Sequence, residues 1–197
     1  MIHLASKSPR RRELLDQLGL AHAVLDVDVP EQRGSGETAL EYVRRVARDK
    51  AEAGWAALQK QERTGTRVLA ADTEVVLEDE VFGKPSDAAQ AAAMLRRLSG
   101  RIHQVLSAVC LRDASGVHEA LCRSQVRFST LGEARIGAYL DSGEWQGKAG
   151  AYAIQGRAAA FIAHLEGSYS GVMGLPLFET ARLLGSGDSE LAIRDSS

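Results

Sequence analysis

The sequence predicts a mixed α/β domain in which helices flank a mixed β-sheet, and three observations support this fold class. Apolar runs at about 67–77, 102–112 and 117–129 have the length and composition of strands. Segments with helical spacing lie between other strand-like runs, but the regular strand–helix–strand repeat of a parallel fold is missing. The chain has 197 residues, 45% of them hydrophobic and 25% charged, which suits one complete core rather than two independent domains.

The N-terminal region predicts a strand, a helix and a second strand. Residues 2–5 form a short apolar run. Ser8 and Pro9 suit the N-cap and the first helical position, and Gly19 is a typical residue for ending the helix. A second strand is expected at 23–25.

The middle of the chain predicts a long helix, a buried strand and a capped helix. The helical pattern runs over about 38–59, and the buried strand at 67–77 can turn back into a hairpin. Asp87 with Gln90 three residues later resembles a capping box, and this helix ends at 99–100.

The C-terminal half carries no internal repeat and no linker that would separate two domains. We therefore expect residues 1–185 to form one domain and 186–197 to be a flexible tail. The predicted order is a strand at 102–112, a turn at 113–116, a strand at 117–129, a helix at 133–142, a glycine-rich stretch with a strand at 158–165, and a helix after Pro176.

Composition and charge limit the classes of partner. The chain has 24 Lys and Arg against 26 Asp and Glu, so it lacks the basic excess of nucleic-acid and membrane-surface binders, and neither partner is predicted. No apolar run approaches the roughly 18 residues of a membrane-spanning helix. The N-terminus is apolar first and basic afterwards, which is the reverse of a signal peptide, and we expect a cytoplasmic protein.

Cysteine and histidine usage fits that compartment. Cys110 and Cys122 flank the turn at 113–116 and could lie near each other on paired strands, but two reduced core thiols are the simpler interpretation. The five histidines have no metal-ligand spacing, so no zinc site is predicted.

Four cations stand at the start of the first helix, where the helix dipole disfavours positive charge. They are Lys7, Arg10, Arg11 and Arg12. They could form a solvated basic turn, or they could surround an anion bound at the free N–H groups of the helix.

Lys50 and Lys84 are two further candidate phosphate ligands. Lys50 shares a helix face with Val43 and Val46, so its ammonium either extends to the nearest surface or reaches into a cleft. Lys84 lies between Gly83 and Pro85, which suits a stiff loop in close contact with a ligand, although this tripeptide is common.

Asp72 interrupts the buried strand at 67–77. A buried carboxylate is costly unless it is paired, hydrogen-bonded or bound to metal. It is therefore either a satisfied structural aspartate, or a metal ligand or base that activates water.

Taken in order, these residues and several further segments resemble the Maf family of nucleoside triphosphate pyrophosphatases. Each motif is weak by itself, whereas their joint order over about residues 2–185 is specific. The segments are 6–11 (SKSPRR), 71–73 (ADT), 83–85 (GKP), 94–95 and 98–100 with His103, 147–152 (GKAGAY), 167–170 (GSYS) and 174–177 (GLPL).

The resemblance implies a fold and an activity. The fold is an elongated mixed sheet with a cleft between two lobes, similar to that of inosine triphosphate pyrophosphatases. The activity is hydrolysis of a nucleoside triphosphate to its monophosphate and pyrophosphate with a divalent cation, Mg²⁺ or Mn²⁺. The family also commonly forms dimers, so a homodimer is a candidate assembly.

The resemblance also assigns residues. Asp72 corresponds to the proton acceptor. As a separate hypothesis, we expect Glu31, next to a polar loop, to help hold the cation together with Asp72. Substrate selection falls on Arg10, Thr73 and Gln155. The polar, phosphate-binding cleft falls on Ser8, Arg10, Arg11, Glu31, Lys50 and Lys84.

One branch of the family prefers dTTP and UTP, and residues 149–156 resemble that branch. The amide of Gln155 can donate to and accept from the edge of uracil or thymine. Gly147 stands where aspartate is frequent and Ser107 where threonine is frequent. Neither is expected to touch the chemistry, but Gly147 borders the selectivity loop and leaves the order of substrates open.

Three other functions stay open at this point. The enzyme could act on 7-methyl-GTP, or on purine triphosphates such as ITP. A non-catalytic role is also open, in which the cleft senses a nucleotide and the protein restrains septum formation, an activity associated with Maf proteins.

Overall fold

A computed structural model describes residues 1–58 and 64–185 of the chain. The strands are β1 (Ile2–Ala5), β2 (His22–Leu25), β3 (Arg67–Leu77), β4 (Glu80–Phe82), β5 (Ile102–Asp113), β6 (Gly116–Phe128) and β7 (Ile162–Glu166). The helices are α1 (Pro9–Gln17), α2 (Ala39–Ala57), α3 (Ala88–Leu98), α4 (Glu133–Asp141), α5 (Tyr169–Met173) and α6 (Leu177–Gly185), with short 3₁₀ segments at Ala149–Ala151 and Arg157–Phe161.

Within the described residues, the strands form one seven-stranded mixed sheet in the order β2-β1-β3-β5-β6-β7, with β4 paired to β3. β1 runs parallel to β2 and β3, whereas the long strands β3, β5 and β6 and the short strand β7 pair antiparallel in that order. A tight turn joins β5 to β6, where the carboxylate of Asp113 accepts from the backbone N–H of Ser115 at 2.8 Å. The predicted mixed sheet flanked by helices is confirmed.

Two hydrophobic clusters cover the two faces of the sheet. Side chains alternate along β3, so Leu69 and Ala71 face one cluster while Val68 and Ala70 face the other. The larger cluster includes side chains of α1, α3, α4 and α6, and the smaller one is covered by α2. α2 lies very close to the sheet, since a Cβ on Gly54 would come within 2.9 Å of the Val68 side chain.

Local signals placed most elements correctly. Thr38 and Glu41 form a reciprocal capping box at the start of α2, and Asp87 accepts from the backbone N–H of Gln90 at the start of α3. In α2, Val43, Val46 and Lys50 are all buried, so the three residues do share one face.

Three expectations need correction. The strand expected at 158–165 begins only at Ile162, because Arg157–Phe161 form a 3₁₀ segment, and α5 was not expected at all. Cys110 pairs with Glu119 and Cys122 with Ser107, so their ladder positions are separated and alternation puts them on opposite faces of the sheet. Both thiols are free and buried, as the simpler interpretation held.

The expected tail at 186–197 lies outside the described residues. Among the helices of the described chain, none combines the length and the apolar character needed to cross a membrane.

Candidate functional site

A cleft of about 1180 Å³ lies beside the middle of β3. Its walls come from the start of α1, the segment after β2, α2, β3, the loop after β4, and α5. The remaining wall is the loop at 147–155, which the sequence predicts to select the substrate and which is called the selectivity loop below. Every residue that the sequence assigned to the site lines this cleft: Ser8, Arg10, Arg11, Glu31, Lys50, Asp72, Thr73, Lys84 and Gln155. The fold thus brings together residues that are up to 147 positions apart in the sequence, from Ser8 to Gln155.

A chain of ion pairs runs along the floor of the cleft. The ammonium of Lys50 donates to Asp72 Oδ1 at 2.8 Å and also contacts Glu31 Oε1 at 2.5 Å. Lys84 donates to Glu31 Oε2 at 2.5 Å. Burial by itself would raise the pKa of Glu31, but the hydrogen bonds from Lys50 and Lys84 lower it to about 2. The ammonium of Lys50 therefore reaches into the cleft and does not extend to the nearest surface, which were the two alternatives that its spacing left open.

Asp72 is buried, with 6% of its surface exposed, and only one of its oxygens is bound by Lys50. Among the described residues, Asp72 Oδ2 has no hydrogen-bond partner. A free carboxylate oxygen inside a polar cleft can accept a proton or bind a cation.

The start of α1 presents two arginines and an uncapped helix end. Ser8 occupies the N-cap position, but its side chain makes no capping hydrogen bond, so the expected capping interaction is absent. Arg11 is anchored by donation from Nε to the carbonyl of Gly174 at 2.7 Å and from Nη1 to Ser6 Oγ at 3.3 Å. In the described part of the chain, the half-buried Arg10 has no hydrogen-bond or ion-pair partner.

Burial lowers the pKa of both guanidinium groups. For Arg10, the neighbouring positive charge of Arg11 lowers the pKa further. For Arg11, the negative charges of the cleft oppose this lowering of the pKa, and Asp72 has the largest opposing influence. An anion between the two side chains would relieve the cost of holding two cations close together in a partly buried place.

Thr73 projects from β3 on the side opposite to Asp72. Its hydroxyl lies 2.9 Å from that of Ser107, and Ser107 in turn donates to the carbonyl of Gly171 at 2.7 Å. The expectation that Ser107 does not touch the chemistry stays a prediction, although pairing of β3 with β5 places it directly opposite Thr73.

The selectivity loop is held against the cleft by backbone and side-chain contacts. Gly150 has a φ of 66°, donates its N–H to the carbonyl of Gly83 at 3.2 Å, and leaves no room for a Cβ beside Val75. Tyr152 is buried, and its hydroxyl lies 2.8 Å from His103 Nε2. Gln155, in contrast, is exposed at the cleft, so its amide is accessible to a ligand.

Glu74 is an acidic residue of the cleft that the sequence analysis did not assign to the site. It lies two positions after Asp72 on β3, lines the cleft and is buried. Burial, followed by the negative charge of Asp72, raises its pKa to about 8. The i,i+2 spacing of two carboxylates in a buried strand was the signal that could have identified it.

The described residues contain no group of three or more His, Cys, Asp or Glu side chains arranged to hold a metal ion. Mg²⁺ does not require such a cage, since it commonly binds through one or two carboxylates together with phosphates and water. Asp72, with one oxygen unpartnered, fits this donor chemistry. Glu31 would have to exchange a lysine partner to contribute.

The fold and the cleft together define a class of protein: an α/β protein whose cleft, lined by both acidic and basic residues, suits a small polyanion. The family follows from comparison of the sequence, because a family model described as "Maf-like protein" matches residues 1–186. The chain belongs to the Maf family, as its motifs indicated.

Individual relatives are similar over most of their length. A "dTTP/UTP pyrophosphatase" of Xanthomonas campestris is 57% identical over 93% of this chain and 97% of its own, and one of Methylococcus capsulatus is 58% identical over 92% and 88%. A "Nucleoside triphosphate pyrophosphatase" of Xylella fastidiosa is 53% identical over 93% and 97%. Among solved structures, the Staphylococcus aureus Ham1 protein matches with a TM-score of 0.46 and 19% identity over 64% of this chain and 71% of that one, a likeness too low to carry an argument.

Proposed function

We propose that the protein hydrolyses nucleoside triphosphates to monophosphate and pyrophosphate, and that dTTP and UTP are its preferred substrates. The observation that carries this proposal is the oxygen of buried Asp72 that has no partner in the described chain, in a cleft that also holds Arg10, Arg11, Lys50 and Lys84. Relatives more than 50% identical carry the corresponding names.

Charge supports a triphosphate as the ligand. A triphosphate brings about four negative charges, and phosphoryl transfer depends mainly on positioning and charge stabilisation. Glu31 and Asp72 already neutralise Lys50 and Lys84 in part. The four basic residues would therefore be too few without an added divalent cation.

Asp72 is the proposed proton acceptor. Lys50 holds one carboxylate oxygen, and the other has no hydrogen-bond partner among the described residues. As water attacks the α-phosphorus, the new P–O bond forms, the bond to the β-phosphate oxygen breaks, and Asp72 takes the proton from water. Pyrophosphate leaves with the electron pair of the broken bond. Lys84, Arg10 and Arg11 would stabilise charge on the phosphates.

The divalent cation is proposed to be Mg²⁺ or Mn²⁺, held by Asp72 through one oxygen while the other oxygen takes the proton, and, after exchange of a lysine, by Glu31. When bound, it supplies positive charge that neutralises phosphate oxygens and polarises them.

Base selection is proposed to rest on Arg10, Thr73 and Gln155. The exposed amide of Gln155 can match the acceptor–donor–acceptor edge of uracil or thymine with one donor and one acceptor. The other two proposed specificity residues are Thr73 and Arg10. The hydroxyl of Thr73 lies within hydrogen-bond distance of Ser107, and Arg10 has no partner in the described residues.

Pyrophosphate release from dTTP, UTP, CTP, 7-methyl-GTP and ITP, each with Mg²⁺ or Mn²⁺ and with EDTA, tests this function. We expect catalytic turnover, preference for dTTP and UTP, and loss of activity in EDTA. Asp72→Asn should lower kcat by about 10²–10⁴-fold, since it keeps the shape and removes the base. Asp79→Asn, the same change in the exposed turn of the hairpin, is the matched control and should stay near wild type.

Several outcomes would contradict the proposal. Wild-type turnover by D72N would remove Asp72 from the chemistry. Clear preference for ITP or 7-methyl-GTP would reject the pyrimidine assignment. Stoichiometric binding without turnover would favour a nucleotide-binding regulator instead.

We also infer the setting of the enzyme. Two free, buried thiols are typical of a reducing compartment, so we propose the cytoplasm. A single catalytic domain over residues 1–185 and a homodimer remain proposals, and the latter is checked by light scattering of the purified chain.

A further inference from the structure

Two carboxylates, Asp72 and Glu74, project from the same face of β3 into the cleft. Successive side chains of a strand alternate between faces, so residues two positions apart lie side by side. Asp72 is 6% exposed and Glu74 is 8% exposed, so both carboxyl groups are more than nine-tenths buried. Both residues line the cleft.

Each of these carboxyl groups has an oxygen that no group of the described residues satisfies. In the part of the chain that the structure describes, Asp72 Oδ2 and Glu74 Oε2 are buried and have no hydrogen-bond partner. Buried carboxylate oxygens are normally satisfied by a donor, an ion pair or a metal ion, because leaving them unsatisfied is costly. Two such oxygens on one face of β3 indicate that a bound ligand or ion interacts with them.

The nearby lysines are already engaged elsewhere. Lys50 is shared between Asp72 Oδ1 and Glu31, and Lys84 contacts the other oxygen of Glu31. Neither ammonium forms an ion pair with Glu74 within the described residues. Arg11, which also feels the charge of Glu74, donates instead to the carbonyl of Gly174 and to Ser6 Oγ.

The electrostatics of a neighbouring side chain agree with a local excess of negative charge. Burial is the main cause of a raised pKa at the Tyr42 hydroxyl, and Glu74 is the first of three carboxylates that raise it further. Together with the two carboxylate oxygens that lack partners among the described residues, this favours a cation rather than a further anion as the ligand of this wall.

We propose that Glu74 is a ligand of the divalent cation, which it binds together with Asp72. Two oxygen donors are what Mg²⁺ or Mn²⁺ needs from a protein when phosphates and water supply the rest. This explains how the site can lack a preformed cage of three ligands in the described residues. Glu31 would then serve chiefly to position Lys50 and Lys84. The inference rests on the proposed function, since it assigns a residue to the cation of that reaction.

Binding of Mn²⁺ alone to the full-length protein tests the inference without relying on activity. Free Mn²⁺ is followed by electron paramagnetic resonance during titration of the wild type, Glu74→Gln, and Glu78→Gln as the matched control. Glu78 is an exposed carboxylate at the turn of the same hairpin and pairs with Arg101. We expect E74Q to raise the dissociation constant of Mn²⁺ at least tenfold, and E78Q to change it less than twofold.

Equal Mn²⁺ affinity in wild type and E74Q, or no Mn²⁺ binding by the wild type, would overturn the inference. If E74Q does not fold, Glu74→Asp is used instead, because it keeps the carboxylate charge but shortens the side chain. We expect Glu74→Asp to bind Mn²⁺ at least threefold more weakly than the wild type, and an unchanged Mn²⁺ affinity would overturn the inference. Turnover of UTP by the wild type is measured in parallel. If the wild type is active and the Mn²⁺ affinity of E74Q is unchanged, only the role of Glu74 is rejected. If the wild type is inactive, the proposed function itself is rejected.

Discussion

Lys50 connects folding and chemistry at the level of a single side chain. Its aliphatic part lies on the buried face of α2, while its ammonium lies between Asp72 and Glu31. A buried ammonium is tolerated only because two carboxylates compensate for its lost hydration. The same contact holds the Asp72 carboxylate in place, so the pair serves the proposed reaction as well as the fold.

Replacing Lys50 by methionine should cost about 3–5 kcal/mol of unfolding free energy, since it leaves buried Asp72 without its cation. The double variant K50M/D72N should be more stable than the sum of the single effects predicts, by about 0.5–3 kcal/mol, because the unpaired charge is then absent. Urea unfolding of the four proteins in metal-free buffer measures this coupling. Strictly additive effects would mean that the contact contributes nothing.

At the level of elements, the selectivity loop depends on close packing against β3. Gly150 has a left-handed backbone, and a Cβ there would lie 2.9–3.0 Å from atoms of the Val75 side chain. Val75 is β-branched and cannot easily turn away. Gly150 is part of a family motif in the sequence, and the structure shows that close packing against Val75 requires a glycine there.

Gly150→Ala should destabilise the protein by about 2–4 kcal/mol, the sum of the left-handed backbone cost and the steric overlap. It should also raise the KM for UTP, because the loop that carries Gln155 is displaced. Gly143→Ala is the matched control: its φ is 71°, but its nearest contact is an ordinary 4.0 Å to Gln146. Urea unfolding and steady-state kinetics check both variants, and equal effects in the two would show that Val75 plays no part.

At the level of the whole molecule, stability responds to groups whose pKa values change on folding. Burial lowers the pKa of His103 from 6.5 to about 4. Hydrogen bonds to lysines lower that of Glu31 to about 2. In both cases the unfolded chain binds protons more readily than the folded protein, so acid favours unfolding.

The two groups act in different pH ranges. Between about pH 6.5 and 4 the unfolded state gains a proton on His103 that the folded state resists, which should remove about 3 kcal/mol of stability relative to His103→Gln. Glu74, whose pKa is raised on folding, acts in the opposite sense in both proteins, so the difference between the two profiles isolates His103. Further loss through Glu31 begins below about pH 4.5. Urea unfolding across pH 3.5–7.5 measures the profile, and His103→Gln should flatten the upper range. A variant with the wild-type slope between pH 6.5 and 4 would rule out His103 as the cause.

Local signals in the sequence were sufficient for most of the elements. Apolar periodicity located the long strands, and Thr38 and Asp87 mark helix starts that the structure confirms through capping contacts. These features depend on residues three or four positions apart, so short-range patterns carry them. The strand at 162–166 was placed too early because its extent depends on pairing with β6.

What the sequence by itself determined is the family, the mixed α/β class and the residues of the cleft, since motifs and periodicity are properties of neighbouring positions. Only the tertiary structure decided their partners. Lys50 meets Asp72 because α2 packs over β3, Thr73 meets Ser107 because β5 pairs with β3, and Arg11 meets the carbonyl of Gly174. The unsatisfied oxygen of Glu74 likewise appears only once the cleft has formed. Such contacts join residues far apart in the chain, and burial and electrostatics arise only when the packed core removes water from them.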